Sequence, residues 1–379
     1  MFLGSFLVFK YIYTNPRNWY DHYLYLAKSF LNGRVDIPDL PTFYHDKIEF
    51  EGKTYIPFPP GASFLLAPFL FAFKSITQQS VSIIVGAIDI ALMFVLLSKF
   101  TTKKNSLILS IFFGFGTSFF WSSIVGTTWF FAHVVSIFFI TLSLIFHFNK
   151  KHFFSGIFYA LAVMTRMPMV LVGIFFLLEL FKEKKSLILF TLGASILVPI
   201  MGFYDYARFG KLLETGYYEV YKQYVGGNYP YTIIQTLIPN APYFGYFDIR
   251  NIPLHLYTFL IMPPNITVDS GIIKEIVPSP FGTGILYTSP LLFYSLAPNL
   301  KNSLQRNLFL AALFGALPSF THYMQGWVQF GYRFVLDFIV FLMIILAIKF
   351  RPTKKTFVLV LISLIVNIWG VIWAINLGW

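Results

Sequence analysis

The 379-residue chain is 57% hydrophobic and 20% aromatic, with a mean hydropathy of +0.69, which is more apolar surface than a water-soluble core can hide, so it reads as a polytopic membrane protein. It has no cysteine, which excludes disulfides, thiolate metal sites and thiol catalysis. A formal net charge of +12 would raise nucleic acid as a partner in a soluble protein, but here many of the basic residues fall in short loops between apolar runs, so topology accounts for the charge and no nucleic-acid partner is expected.

The first apolar run, Met1 to Tyr13, is 13 residues long, short of the ~20 that cross a bilayer, and implies a true start further upstream. A polar stretch follows, Asn15 to Ser80, holding six of the sixteen acids: Asp21, Asp36, Asp39, Asp46, Glu49 and Glu51. Within it, Tyr23, Leu24, Ala27, Phe30 and Leu31 recur at helical spacing, which predicts a short surface helix over Asp21 to Asn32 with Asp21 at its N-cap. Asp21 is then either a simple cap or, by its place just after the first span, a functional acid. Phe58 to Gly61 (FPPG) reads as the turn into a second helix, Phe58 to Phe73, which is apolar but split by prolines and is expected to lie in the outer interface without crossing.

The remaining runs are Val81 to Ser98, Ser106 to Ser123, Trp129 to Phe148, Phe153 to Thr165, Met167 to Phe181, Ser186 to Tyr204, Thr283 to Ala297, Asn307 to Phe320, Tyr332 to Ile348 and Thr356 to Asn376, making about eleven spans in all. Five basic clusters separate them: Lys99, Lys103 and Lys104; Lys150 and Lys151; Lys182, Lys184 and Lys185; Lys301 and Arg306; and Lys349, Arg351, Lys354 and Lys355. The positive-inside rule puts all five in the cytoplasm. On that threading Glu179 and Glu183 are the only cytoplasmic acids and Asp89 alone is deep in a span. The other acids, with Arg17, Arg34, Arg166, Arg208, Arg250 and Arg333, face or border the outer side.

The expected organisation is a single polytopic domain, 1–379, with two large outer elements at about 14–80 and 205–282. The Tyr217, Tyr218, Tyr221, Tyr224 series in the second suits an amphipathic interfacial helix.

Arg166 lies between two apolar runs, where an unpaired charge costs at least ~2.5 kcal/mol at the bilayer centre, so it either binds phosphate or pairs with an acid. Arg333 stands four residues before Asp337 and either forms a helix-face ion pair with it or holds a lipid phosphate. Asp89 is expected to be paired with a polar neighbour or protonated, and His133 and His322 to be aromatic-interface residues. His22 beside Asp21 and His45 beside Asp46 hint at a metal, but no recognised ligand spacing and no DxD occurs, so no metal site is assigned and metal dependence stays open.

Several motifs carry a resemblance that spans nearly the whole chain: LNGR at Leu31 to Arg34, YHD at Tyr44 to Asp46, EGKTY at Glu51 to Tyr55, FPPGASFLLAPF at Phe58 to Phe69, GTTWFFAH at Gly126 to His133, LAVMTRMP at Leu161 to Pro168, YARFGKLLETGY at Tyr206 to Tyr217 and GWVQFGYRFVLDF at Gly326 to Phe338. Together they resemble bacterial and archaeal GT-C-type glycosyltransferases, polytopic enzymes related to the protein mannosyltransferase and aminoarabinose transferase group. The resemblance implies an all-α integral membrane GT-C fold, a catalytic acid in the first outer loop and a polyprenyl-phosphate-linked sugar as donor. Asp21 matches that acid by position; many relatives carry a second acid where this chain has His22, and some carry an amide in place of Asp21. Asp46 is the second candidate.

Displacing a phosphate-linked sugar needs a base for the acceptor proton and cations for the departing phosphate, roles that suit a carboxylate and arginine. Arg166 and Arg333 are the candidates for the phosphate, with Arg250, His22 and Tyr55 as further substrate contacts. The expected activity is sugar transfer to a lipid, glycan or protein acceptor at the outer face of the cytoplasmic membrane, with no cofactor beyond the donor. The rivals are a polysaccharide polymerase or ligase and a lipid-linked sugar flippase or transporter. The last is disfavoured by the absence of internal repeats and by acids crowded on one face.

Overall fold

The computed structural model describes residues 1–12, 19–217, 219–220 and 245–377. Arg17 and most of the tyrosine series lie outside the described residues. The chain is mainly helical. Its first part runs through α1 (Phe2–Ile12), α2 (His22–Leu31), a hairpin of β1 (Ile48–Phe50) and β2 (Lys53–Tyr55), α3 (Gly61–Ala72), α4 (Gln78–Leu97), α5 (Lys103–Phe115), α6 (Ser118–Val125), α7 (Thr128–Phe148), α8 (His152–Val163), α9 (Met169–Val172), α10 (Ile174–Leu180), α11 (Lys184–Ser195) and α12 (Val198–Phe209). The second part holds long helices at Ser303–Thr321, Ile339–Lys349 and Lys354–Leu377.

Among the described residues, four helical stretches are long and apolar enough to cross a membrane: α4, α7, Lys184–Phe209 and Lys354–Leu377. The pair α5 and α6 passes the same test only when taken together, and it is bent by 56°, as a broken span or a re-entrant loop would be. Lys184–Phe209 buries only 11% of its most apolar window, so its greasy sides face outward as a lipid-exposed helix requires. The α3 helix over FPPGASFLLAPF is 12 residues long, about 18 Å, and is too short to cross.

Local chemistry explains the helix starts. Thr77, Thr102, Thr117 and Asn302 each accept a backbone N–H at the N-terminus of the helix they precede. The α2 helix begins after Asp21 and is capped at Asn32, as its periodicity predicts, although the Asp21 side chain makes no capping bond. Glycines allow close crossings. A Cβ on Gly156 of α8 would lie 2.0 Å from the Phe190 carbonyl oxygen, and one on Gly193 of α11 would lie 2.0 Å from that of Phe153.

The basic clusters gather at one end of the bundle. Lys99 Nζ reaches Asn149 Oδ1 (2.5 Å), Glu179 accepts from Asn307 (2.6 Å), and Lys349 donates to the Tyr294 carbonyl (2.8 Å), joining neighbouring turns at that end. Arg166 follows α8, a full helix length from Lys150 and Lys151, and so marks the opposite end.

Two short hairpins interrupt the all-α expectation. In the first, Ile48 pairs with Tyr55 and Phe50 with Lys53 around Glu51 and Gly52, whose φ of +50° and +72° make the two-residue turn. The second joins Asn265–Asp269 to Ile272–Val277. The first seats a small core of Ile48, Tyr55, Phe209 and Val220, next to another of Leu26, Ile37, Leu40, Tyr44, Ile56 and Tyr204. These two clusters dock the first loop on α12. Asp89 is fully buried in α4, and neither carboxylate oxygen has a hydrogen-bond partner among the described residues, which leaves the protonated form as the one of the two expectations that fits.

Candidate functional site

At the end opposite the lysines, a cavity of about 1030 Å³ opens between the first loop, the start of α7, the α8–α9 turn, the end of Ser303–Thr321 and the segment before Ile339–Lys349. Its walls are rich in aromatic side chains, and Asp46, Arg166 and Arg333 all line it.

Asp46 stands just before the hairpin in a left-handed backbone conformation, φ +54°, which a non-glycine residue holds only under constraint. Trp129, in the first turn of α7, donates its Nε1–H to Asp46 Oδ2 at 2.8 Å. His22 sits directly behind. It is fully buried, its Nε2 lies 2.7 Å from the His45 carbonyl, and its Nδ1 lies 2.9 Å from Thr128 Oγ1.

Arg166 is placed by a close approach of two backbones. Gly61 donates its N–H to the Met164 carbonyl at 2.7 Å, and a Cβ there would lie 2.4 Å from Thr165 Oγ1. The FPPG turn thus braces the turn that bears Arg166. The guanidinium forms a two-pronged pair with Asp337, Nε to Oδ1 at 2.5 Å and Nη2 to Oδ2 at 2.9 Å. Ser319 also donates to Asp337 Oδ2 (3.2 Å), and His133 Nδ1 lies 3.2 Å from Oδ1. His133 is therefore part of a buried ionic cluster and not an aromatic-interface residue.

The Arg333–Asp337 ion pair does not form. Arg333–Asp337 is a 3₁₀ segment, in which residues four apart are ~120° apart around the axis, and Asp337 turns to Arg166. The Arg333 guanidinium lies 5.6 Å from the Phe130 ring centre and 4.9 Å from that of Phe334. Its buried Nε has no hydrogen-bond partner among the described residues. Among the described residues, the cavity wall thus offers one arginine committed to an acid and one that is not.

The other candidates lie elsewhere. Asp21 is buried behind the wall and is not among the lining residues. Its backbone N–H donates to Tyr44 Oη (3.0 Å), while its Oδ2 has no partner among the described residues. Burial pushes its carboxyl up to about 7, against a smaller opposing pull from Lys28. A folded-state pKa above the unfolded one means the fold holds a proton that the unfolded chain releases, so this group lowers stability as pH rises from about 4 to about 7. Asp21→Asn is expected to raise the thermal midpoint at pH 8 and to leave it nearly unchanged at pH 4. A variant midpoint that tracks wild type at both pH values would contradict this.

Tyr55 is buried against Phe209 in the hairpin core, away from the cavity. Arg250 is exposed and paired with Asp248 at 2.8 Å, which holds that acid down at about 2. Neither lines the cavity. His322 does line it, with its Nδ1 3.0 Å from the Met324 carbonyl oxygen. Among the described residues no three His, Asp or Glu side chains are grouped to hold a metal ion.

No protein-family model matches the sequence, and no curated protein matches it. Three solved structures do share its fold. The oligosaccharyltransferase of Archaeoglobus fulgidus in the apo form aligns over 98% of this chain and 56% of its own, with TM-score 0.52 and 11% identity. The archaeal oligosaccharyltransferase AglB from the same organism, bound to an inhibitory peptide and a dolichol-phosphate, aligns over 98% and 55%, also with TM-score 0.52 and 11% identity. A form tethered to an acceptor peptide containing the NVT sequon gives TM-score 0.53 and 13% identity over 98% and 54%. The chain thus spans about half the length of these neighbours, and the likeness is one of fold alone. All three are structures of an oligosaccharyltransferase, so the narrower resemblance to the protein mannosyltransferase and aminoarabinose transferase group rests on the sequence motifs alone.

Proposed function

We propose that this protein is an integral membrane glycosyltransferase that moves a sugar from a polyprenyl-phosphate carrier to an acceptor hydroxyl at the outer face of the cytoplasmic membrane. The observation that carries the reading is the cavity that brings Asp46 together with Arg333, whose buried Nε is unpartnered among the described residues. Asp46 takes the acceptor proton as the acceptor oxygen attacks the anomeric carbon, and Arg333 meets the phosphate that leaves. Arg166, whose Nε and Nη2 are spent on Asp337, contributes its remaining face and a fixed orientation. A single displacement of this kind inverts the anomeric centre.

Aromatic walls suit both partners of the reaction, since Trp19, Tyr20, Phe58, Trp129 and Trp327 offer flat apolar faces with polar edges for a sugar and a prenyl tail. The volume of about 1030 Å³ is at the upper end for a small-molecule site, as a site shared by donor and acceptor requires. In this reading the shorter apolar helices complete about eleven spans, and the lysine-rich end lies in the cytoplasm.

The alternative donor is a pyrophosphate-linked oligosaccharide, the donor of the rival polymerase or ligase reading; the solved neighbours are named as oligosaccharyltransferases. Purified protein in nanodiscs, given radiolabelled polyprenyl-phosphate monosaccharides in one arm and a polyprenyl-pyrophosphate oligosaccharide in the other, separates the two. Label released from the first donor alone is the expected result. Release from the second alone would replace the donor, and binding of either lipid without any turnover would favour a carrier or flippase.

A further inference from the structure

We infer that His22 is a positioning residue for Asp46: it ties the His45–Asp46 backbone to the start of α7, so that the carboxylate stays on Trp129 and aimed into the cavity. This rests on the reading of Asp46 as the base and extends it to a residue that does not line the cavity.

The geometry is a two-sided clip. On one side, four polar contacts fasten residues 20–22 to Thr128: Thr128 N–H donates to the Tyr20 carbonyl at 3.0 Å, the Thr128 hydroxyl donates to the same carbonyl, His22 N–H donates to Thr128 Oγ1 at 3.0 Å, and the ring Nδ1 meets that oxygen at 2.9 Å. On the other side, the ring Nε2 reaches the carbonyl of His45 at 2.7 Å. A carbonyl oxygen only accepts, so Nε2 carries the hydrogen, while in the neutral ring Nδ1 and the Tyr20 carbonyl compete for the one hydroxyl hydrogen of Thr128. Burial favours that neutral form by lowering the imidazole pKa, and the His45 carbonyl, the Asp46 charge and the Tyr20 carbonyl oppose it more weakly.

The clip matters because of what lies one peptide further on. Asp46 occupies a left-handed conformation, φ +54°, and its side chain reaches Trp129, the residue after the one His22 grips. The first loop and α7 are therefore joined twice, by His22 to Thr128 and by Asp46 to Trp129. The second bond depends on the left-handed conformation at Asp46, a region that costs most L-residues energy, and the first tie helps to hold the backbone there. Tyr20, stacked on the His45 ring at 5.8 Å and tilted against the Trp129 indole at 5.0 Å, packs beside the two ties.

The two ring nitrogens can be tested separately, because a glutamine amide extends to about the position of Nε2 and an asparagine amide to about that of Nδ1. His22→Ala and His22→Asn are expected to lower kcat by about 10–100-fold, the cost of misplacing a reacting group by ~1 Å, while donor KM stays within about threefold. His22→Gln, which restores a donor to the His45 carbonyl, is expected to recover most of kcat. Hydrogen exchange of the backbone amides at Tyr44 to Asp46 gives a readout independent of turnover, faster in the Ala and Asn variants and close to wild type in the Gln variant. A wild-type kcat in His22→Ala alongside an inactive Asp46→Asn, or a Gln variant as damaged as Ala in both readouts, would overturn the assignment. If instead Asp46→Asn retains full activity, it is the base assignment that fails, and the exchange experiment alone still decides whether His22 holds the loop.

Discussion

Replacing Asp46 by asparagine is expected to remove nearly all sugar transfer while leaving the protein at normal abundance in the membrane. The substitution is close to isosteric. The carbonyl oxygen of the introduced amide still accepts from Trp129 Nε1, so the left-handed turn and the cavity wall keep their shape. What is lost is a group able to receive the acceptor proton, and a positioned base contributes ~10²–10⁴-fold to such a transfer. A fall of at least ~100-fold in kcat, measured with a polyprenyl-phosphate sugar donor at saturating acceptor, is the expected size. Asp21→Asn is the matched control. Its carboxyl titrates near 7, the range that suits a general base, yet the side chain faces protein and not the cavity. Geometry precedes pKa in choosing between them. An inactive Asp21→Asn beside an active Asp46→Asn would return the role to Asp21 and show that the first loop rearranges around bound donor.

The contrast between these two acids shows where a sequence stops being legible. Position and periodicity identify α2, its start after Asp21 and its end at Asn32, because both signals are local, although the capping bond expected of Asp21 does not form. They do not say which way Asp21 points, and that direction comes from Tyr44, 23 residues away, which takes its backbone N–H. Arg166 is legible as a charge between apolar runs, since such a charge needs a partner or a polar cavity, but its partner Asp337 is 171 residues distant. The same acid misleads from the other side: four-residue spacing links it to Arg333 only if the segment is α-helical, and it is 3₁₀. His133 had a usable signal. It lies four residues after Trp129 on α7, so the two share a face, and that face carries one polar contact to each buried or half-buried acid, Asp46 and Asp337. The hairpin at 48–55 is marked by alternating Ile48, Phe50 and Tyr55 around a glycine turn, but Glu51 at a position that favours Asn or Asp weakens the mark.

Removing the Asp337 carboxylate is expected to have the largest effect on stability. Asp337→Ala strips Arg166 of both its hydrogen bonds and Ser319 of its acceptor, and it leaves a guanidinium only 15% exposed without a counter-charge. Breaking a buried ion pair from one side typically costs about 3–5 kcal/mol, because most of the loss is the desolvated charge that remains. The variant should therefore show a lower thermal midpoint in detergent and a reduced yield, well before any assay of turnover is meaningful. The double variant Arg166→Met with Asp337→Leu separates this account from simple loss of packing. It deletes both charges and keeps apolar volume, which for other buried pairs is neutral or stabilising, so its midpoint should recover most of the way to wild type while transfer stays low. A double variant as unstable as Asp337→Ala would mean that His133 and Ser319, and not the Arg166 charge, set the requirement for an acid at this position. In that case the cluster's contribution would lie in hydrogen bonding to the end of Ser303–Thr321, and Arg166 would be held for the phosphate alone.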